Sequence, residues 1–435
     1  REEALMSHQL GETCREAPLP CPVEEIADGK PQPALREFLT RYELTSVLDA
    51  FQLEEGDVPA PAAPAVQGIP LEICEEQDPE QAEKGLRALG RVAFLVNWEG
   101  EEPAALWIQT GENRLALYRV HPLEMLQQLV LREDLPLLTF DAKPVYRLAL
   151  RLDKPVFQVI DDLKLAAYLL SSSEKSYSLS EMRTAYLPGL AFDADEIHWD
   201  AAALIRLDQA VSAIFSQRQM ESLYRDIELP LCQVLASMEH EGSMVDRAGV
   251  EEFGRMLDSQ IESRRAEILQ MAGTDFNINS TKQLAEVLFD RLGLPPRKKT
   301  RTGYSTDSEV LESLRGHHPI IEAILDYRQL SKLSSTYVAG LGKCIQPDGR
   351  VHSTFNQTET RTGRISSADP NVQNIPVRTP LGAEMRKFFV AKEGFTLVDA
   401  DYSQIELRIL AHISGDQQMI RGFEEGADIH RMTAS

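Results

Sequence analysis

The string DADYSQIELR at residues 399–408 sets Asp399, Asp401 and Glu406 close together along the chain. The residues before it, Phe395, Thr396, Leu397 and Val398, predict a short apolar strand. Ile405, Ile409, Leu410 and Ile413 predict one apolar face of a helix. Asp401 is therefore expected where a strand ends, and Glu406 in the first turn of the helix behind it. A carboxylate at that place suits a hard divalent cation. Mg²⁺ keeps several waters and takes one or two carboxylates together with substrate phosphates. Two such ions can clamp the attacking and leaving oxygens of an in-line displacement. The same acids would equally serve an ordinary helix N-terminus, with Asp401 as cap and Glu406 complementing the dipole.

The elements that must position these acids come from a 435-residue chain, long enough for several cores. Residues 1–53 read as helices, with Leu35, Phe38, Leu39, Tyr42, Leu44 and Leu48 on one face. Residues 54–68 contain VPAPAAPAVQG, a stiff Pro/Ala linker. Residues 69–221 alternate strands (RVAFLVNW, ALWIQT, LPLLTF) with helices such as LKLAAYLL, the pattern of a helix-covered sheet. Residues 222–345 are long amphipathic helices that end at Gly242 and Gly273. Residues 346–435 turn to polar loops and strands. The fold class expected is a multidomain α/β and α+β chain.

Charge and cysteines narrow the partners. The net charge is −23, unusual for a nucleic-acid binder. Residues 1–220 carry 20 Lys and Arg against 37 Asp and Glu, and residues 221–435 carry 25 against 31. Any grip on phosphates is therefore expected in the second half, where RKKTRTGYST holds the densest positive charge. The five cysteines, Cys14, Cys21, Cys74, Cys232 and Cys344, form no CxxC pair and fit a reducing cytoplasm. No apolar run is long enough to span a bilayer.

DADYSQIELR resembles motif A of the family A DNA polymerases. TGRISS (362–367), DPNVQNIPVR (369–378) and DIHRMTA (428–434) resemble further segments of that family in the same order. FNINSTKQL, TRTGYSTDSEVL and YRQLSKLSSTYVAGL resemble its thumb and adjoining helices. The resemblance covers essentially the whole second half.

It implies template-directed addition of deoxynucleotides to a primer 3′-OH, in replication and repair, on primer–template DNA with deoxynucleoside triphosphates and Mg²⁺. Asp401 would bind both metals, helped by the Tyr402 carbonyl. Glu406 would exclude a ribose 2′-OH, and Gln404 and His430 would meet the incoming nucleotide; a lone His early in a helix also fits a purely structural role. Arg364, Asn371, Gln373 and Arg378 would contact the duplex near the primer end. There Arg and Gln reach minor-groove acceptors common to all base pairs, and so test pairing without reading sequence. Lys298, Lys299 and Arg301 would form a thumb tip, with Asn279, Ser280 and Lys282 adding phosphate contacts. A basic turn of this kind also occurs as a merely solvated loop.

By the same resemblance, residues 69–221 fall where the family carries a ribonuclease H-like 3′–5′ exonuclease. That activity needs four carboxylates, beginning with Asp-x-Glu on the first strand. Here Leu95 and Asn97 stand in those places, Leu204 replaces a tyrosine, and Asp141 and Asp208 remain. A folded but inactive domain is expected. Residues 1–53 resemble the end of a 5′-nuclease domain. The fingers helix and the second metal-binding Asp would lie beyond Ser435, so the polypeptide is expected to hold half of the two-metal site and to be inactive alone. A monomer, cytoplasmic and associated with the bacterial nucleoid, completes the expectation. The competing readings are a working 3′–5′ exonuclease and a non-catalytic DNA-binding chain.

Overall fold

A computed structural model describes residues 68–426 apart from Pro155, Phe157, Lys175, Arg301, Thr302, Val377 and Arg378. The helices expected over residues 1–53, and the linker up to residue 67, lie outside the described residues, as do Arg301, Arg378 and His430.

The α/β part is built on a six-stranded mixed sheet. Its strands are β1 (Glu72–Glu75), β2 (Val92–Glu99), β3 (Glu102–Gly111), β4 (Arg114–Tyr118), β5 (Leu137–Thr139) and β6 (Asp161–Asp162). The lateral order is β1-β4-β3-β2-β5-β6. β2, β3 and β4 form an antiparallel meander, while β5 runs parallel to β2 and β6 parallel to β5. Val92, Ala93, Phe94 and Leu95 are all buried. A continuous apolar run of this kind marks a strand covered on both faces, and the alternation resumes only where β2 leaves the core.

Helices α1 (Pro79–Leu89), α2 (Lys143–Arg151), α3 (Leu163–Leu170) and α4 (Glu196–Arg218) cover the sheet. Asp78 starts α1 by accepting from the Glu80 and Gln81 N–H groups. Gly85 lets α1 approach β3, because a Cβ there would lie 2.3 Å from the Thr110 carbonyl oxygen. Helix α5 (Leu229–Glu241) packs on α2, and its Cys232 and Ala236 belong to the same core as the sheet. That core therefore runs on past residue 221.

The following helices are α6 (Arg247–Ala272), α7 (Thr281–Ala285, continued by a wider turn to Arg291), α8 (Ser308–Ser313) and α9 (Pro319–Lys332). Asp246 caps α6 by accepting the Gly249 N–H, and Gly273 ends it in the left-handed region. Leu284, Leu288, Leu311, Ile320 and Ile324 form a second core. The basic segment is a small hairpin, β7 (Lys299–Thr300) with β8 (Gly303–Tyr304). A third core joins Val250 and Leu257 of α6 to Leu330, Leu341, Val351 and Met385. Beyond it come the antiparallel pair β9 (Thr354–Asn356) and β10 (Ser366–Ala368), then α10 (Pro380–Arg386), α11 (Ile405–Ser414) and α12 (Gln417–Glu424).

One expected element is not formed. Residues 395–398 make no ladder with any described strand, and Phe395, Leu397 and Val398 are exposed, Val398 by 87%. A strand exists only through the neighbour that completes its hydrogen bonds, and no described backbone lies beside this one. The helix behind it does form, but Ile409, Leu410 and Ile413 on its apolar face are also exposed.

Candidate nucleic-acid and metal site

Asp401 and Tyr402 lie on an open, irregular segment that runs into α11, with Tyr402 79% exposed. Gln404 takes the left-handed conformation (φ 51°, ψ 42°), and its carbonyl accepts the Arg408 N–H at 3.1 Å, which starts the helix. Glu406 is in the first turn, as its spacing predicts. Arg408 is fixed behind it: its Nε donates to the Ser403 carbonyl at 3.0 Å, and its guanidinium lies over the Phe423 ring. No described side chain pairs with the Asp401 carboxylate, which is exposed. One accessible carboxylate suits a cation that draws its other ligands from water and phosphate. Among the described residues no three or more His, Cys, Asp or Glu side chains are grouped so that they could hold a metal ion.

The β9–β10 pair brings a second set of predicted residues to α11. Thr360 Oγ1 donates to the Arg364 carbonyl at 2.5 Å, and Gln373 Nε2 to the Ile365 carbonyl at 3.0 Å. Asn371 caps a short 3₁₀ turn by accepting the Gln373 N–H at 3.1 Å. Arg364 Nη2 stands 3.6 Å from Glu406 Oε1. Both side chains are largely exposed, so the pair contributes little stability. Its value is positional, since it sets a guanidinium and a carboxylate side by side next to the Asp401 segment.

The thumb-tip candidates sit elsewhere in the fold. Lys298 and Lys299 are exposed on the small hairpin, where Tyr304 packs edge-on against Phe289. Lys298 lies 3.5 Å from Asp307, and its carbonyl accepts the Ser305 N–H. Asn279 donates to Tyr327 Oη at 3.2 Å and Ser280 caps α7, so both have structural partners already; Lys282, in the first turn of α7, is exposed.

Asp208 and Asp141, the two acids expected in the sheet domain, are held by cations. Asp208 accepts from Arg91 Nη1 at 2.6 Å, and the other arm of the same guanidinium reaches Asp161 at 3.1 Å. Arg225 holds the second oxygen of Asp161 at 3.0 Å. Burial pushes the Asp161 carboxyl up, against the pull of these guanidiniums. Asp141, in the left-handed region (φ 67°), pairs with Lys164 at 2.7 Å. Beside it the buried Asp162 accepts from the N–H groups of Asp141, Ala142 and Lys164. Leu95 and Leu204 are buried in the sheet's core. Arg91, Asp161 and Arg225 were not apparent from sequence; the one local signal is an arginine directly before a buried apolar strand.

The family model for "DNA polymerase family A" matches residues 247–435. The chain is 35% identical over 445 residues to DNA polymerase I of Caldicellulosiruptor bescii, covering 100% of this chain and 50% of that protein. The family A match thus covers residues 247–435, and the likeness to DNA polymerase I runs the whole length of the chain. The thermostable DNA polymerase I of Thermus thermophilus is 41% identical over 414 residues, covering 92% of this chain and 45% of that protein. Among solved structures, the POL domain of Pol1 from M. smegmatis, in complex with DNA primer-template and dNTP, superposes with a TM-score of 0.71 at 32% identity; the match covers 82% of this chain and 65% of that one. The chain spans about half the length of the curated relatives it matches. The residues matched by the family model include Asp401, Glu406, Arg364 and the basic hairpin. The sheet domain is covered by the whole-chain relatives.

Proposed function

We propose that this chain carries the primer-gripping surface and one metal-binding carboxylate of a DNA-directed DNA polymerase. The reaction is template-dependent transfer of a deoxynucleotide to a primer 3′-OH. The observation that carries this reading is the meeting of Arg364 with Glu406 beside the exposed Asp401. It brings a duplex-reading cation, a nucleotide-selecting carboxylate and a metal ligand from two separate sequence segments to one place.

Asp401 and the Tyr402 carbonyl would hold Mg²⁺, which when bound supplies charge for the transferring phosphoryl group. Glu406 blocks the space a ribose 2′-OH would need, and Gln404 and His430 meet the nucleotide. Arg364, Asn371, Gln373 and Arg378 track the duplex next to the primer end. Lys298, Lys299 and Arg301, with Asn279, Ser280 and Lys282, grip phosphates further along.

Residues 69–221 are read as a ribonuclease H-like body without nuclease activity; the antiparallel β2–β3–β4 meander continued by parallel β5 and β6 supports the fold. Leu95 and Asn97 supply no carboxylate, and Asp208 and Asp141 are committed to Arg91 and Lys164. Residues 222–345 then form thumb and adjoining helices, and residues 346–435 the beginning of a palm.

The test is primer extension by the polymerase containing this chain, wild type against Asp401→Ala. Loss of about 10³-fold in rate is expected when a charge-stabilising group of this kind is removed. Extension at the wild-type rate would overturn the reading. Digestion of labelled single-stranded DNA in Mg²⁺ separates the exonuclease alternative, which requires degradation where none is expected.

A further inference from the structure

Glu239 and Lys143 make an arrangement that the polymerase reading does not use. Glu239, near the end of α5, is only 3% exposed although charged. Its Oε1 accepts from Lys143 Nζ at 2.7 Å and from the Phe355 backbone N–H at 2.7 Å. Lys143 Nζ also donates to the Phe355 carbonyl at 2.6 Å. The two side chains thus satisfy both backbone groups of one residue. Phe355 is the middle residue of β9 and pairs with Ser367 of β10. Both of its polar backbone groups face away from β10, along the outer edge of the hairpin. The ion pair completes that edge as a third strand would.

The same hairpin is tied to the nuclease-like body at further points. Tyr168 Oη donates to the Thr360 carbonyl at 2.8 Å, and Ser172 Oγ to the Arg361 carbonyl at 3.3 Å. Just outside that body, Gln357 Nε2 donates to Glu228, directly ahead of α5, at 2.9 Å. Between these ties and β10 lies Arg364. Lys143, Tyr168 and Ser172 all belong to the sheet domain, whereas Thr354 through Ala368 belong to the segment that reaches α11.

We propose that Lys143 and Glu239 are positioning residues. They clamp Phe355 and so set the β9–β10 hairpin, and Arg364 with it, at the height that meets the primer end. The nuclease-like body then acts as a brace for the primer grip. The placement of the hairpin rests on the geometry above; its meaning for the primer rests on the polymerase reading.

The experiment has two arms, both on this chain. In hydrogen exchange, Lys143→Met is expected to speed exchange of the amides over residues 354–368 by tenfold or more, with those of β2 unchanged. Unchanged hairpin amides, or equal acceleration in hairpin and sheet, would overturn the proposal. In primer–template binding, Lys143→Met is expected to weaken affinity about fivefold when Arg364 is present and less than twofold in an Arg364→Ala background. Equal losses in both backgrounds would show that Arg364 is not what the clamp positions. A wild-type chain that binds no duplex would count against the polymerase reading alone, and the exchange arm would still decide the clamp. Should Lys143→Met fail to fold, Glu239→Gln carries the same exchange test, because it keeps an acceptor for Phe355 and removes the charge that holds Lys143.

Discussion

Replacing Arg91 by alanine tests whether Asp161 and Asp208 belong to a structural ion cluster. Among the described residues, Arg91 is the one cation that reaches both Asp208, at 2.6 Å, and Asp161, at 3.1 Å. The side chains of Arg91, Asp208 and Asp161 are 19%, 11% and 14% exposed, so water screens the cluster only partly. Removing one partner of a buried pair costs about 3–5 kcal/mol, mostly because a charge is left uncompensated. Two features place this case at the low end: some solvent reaches the cluster, and Arg225 still holds Asp161 at 3.0 Å. A loss of about 3 kcal/mol is expected, read as a lower urea midpoint with an unchanged slope. The decisive comparison is the double variant Arg91→Ala/Asp208→Asn. Neutralising the stranded carboxylate should recover most of the loss, leaving the double variant within about 1 kcal/mol of Asp208→Asn alone. An Arg91→Ala chain within about 0.5 kcal/mol of wild type, or single effects that simply add, would refute the reasoning.

Lys298→Ala and Lys299→Ala should each reduce the salt slope of duplex binding by about one unit while weakening all duplex sequences alike, as phosphate contacts do; an unchanged slope in titrations from low to moderate salt would mark these lysines as solvated bystanders. Burial, with the Asp141 charge beside it, pushes the Asp162 carboxyl up to about 6 from an ordinary value of 3.8. In that window the folded chain holds a proton that the unfolded chain has released, so this group adds stability as pH falls from about 6 to about 4 and withdraws it as pH rises. Urea midpoints at the two ends of the window should therefore differ less, in that direction, for Asp162→Asn than for wild type, and identical pH responses would remove Asp162 from the account.

What was legible in the sequence is what short-range chemistry decides. Asp246 and Gly273 mark the ends of α6 because a cap and a left-handed stop act within one turn. The strand at 92–99 declares itself by five consecutive apolar residues, and Glu406 lands in a first helical turn because its distance from Ile409 and Leu410 sets the phase. The ion cluster was hidden for the opposite reason. Arg91 and Asp208 are 117 residues apart, and apart from the apolar strand that follows Arg91 nothing local distinguishes a paired charge from a solvated one. Glu239 was harder still, since MEHEG at the end of a helix reads as a polar, exposed terminus, yet that carboxylate is buried against the backbone of residue 355.

The segment 395–398 shows the same limit from the other side. Its composition asks for burial and for a ladder partner, and both are long-range requirements that local pattern can state but cannot meet. The acid at its end does not depend on the strand in the same way. Asp401 is held between the unpaired segment and a helix that is well formed from Ile405 onward, and α11 is fixed in turn by Arg408 on Ser403 and on Phe423. The helix therefore orients Glu406 toward Arg364 even where the strand has no neighbour. A neighbouring strand laid along 395–398 would add order to Asp401 more than to Glu406, so the Glu406 carboxylate is set before that of Asp401.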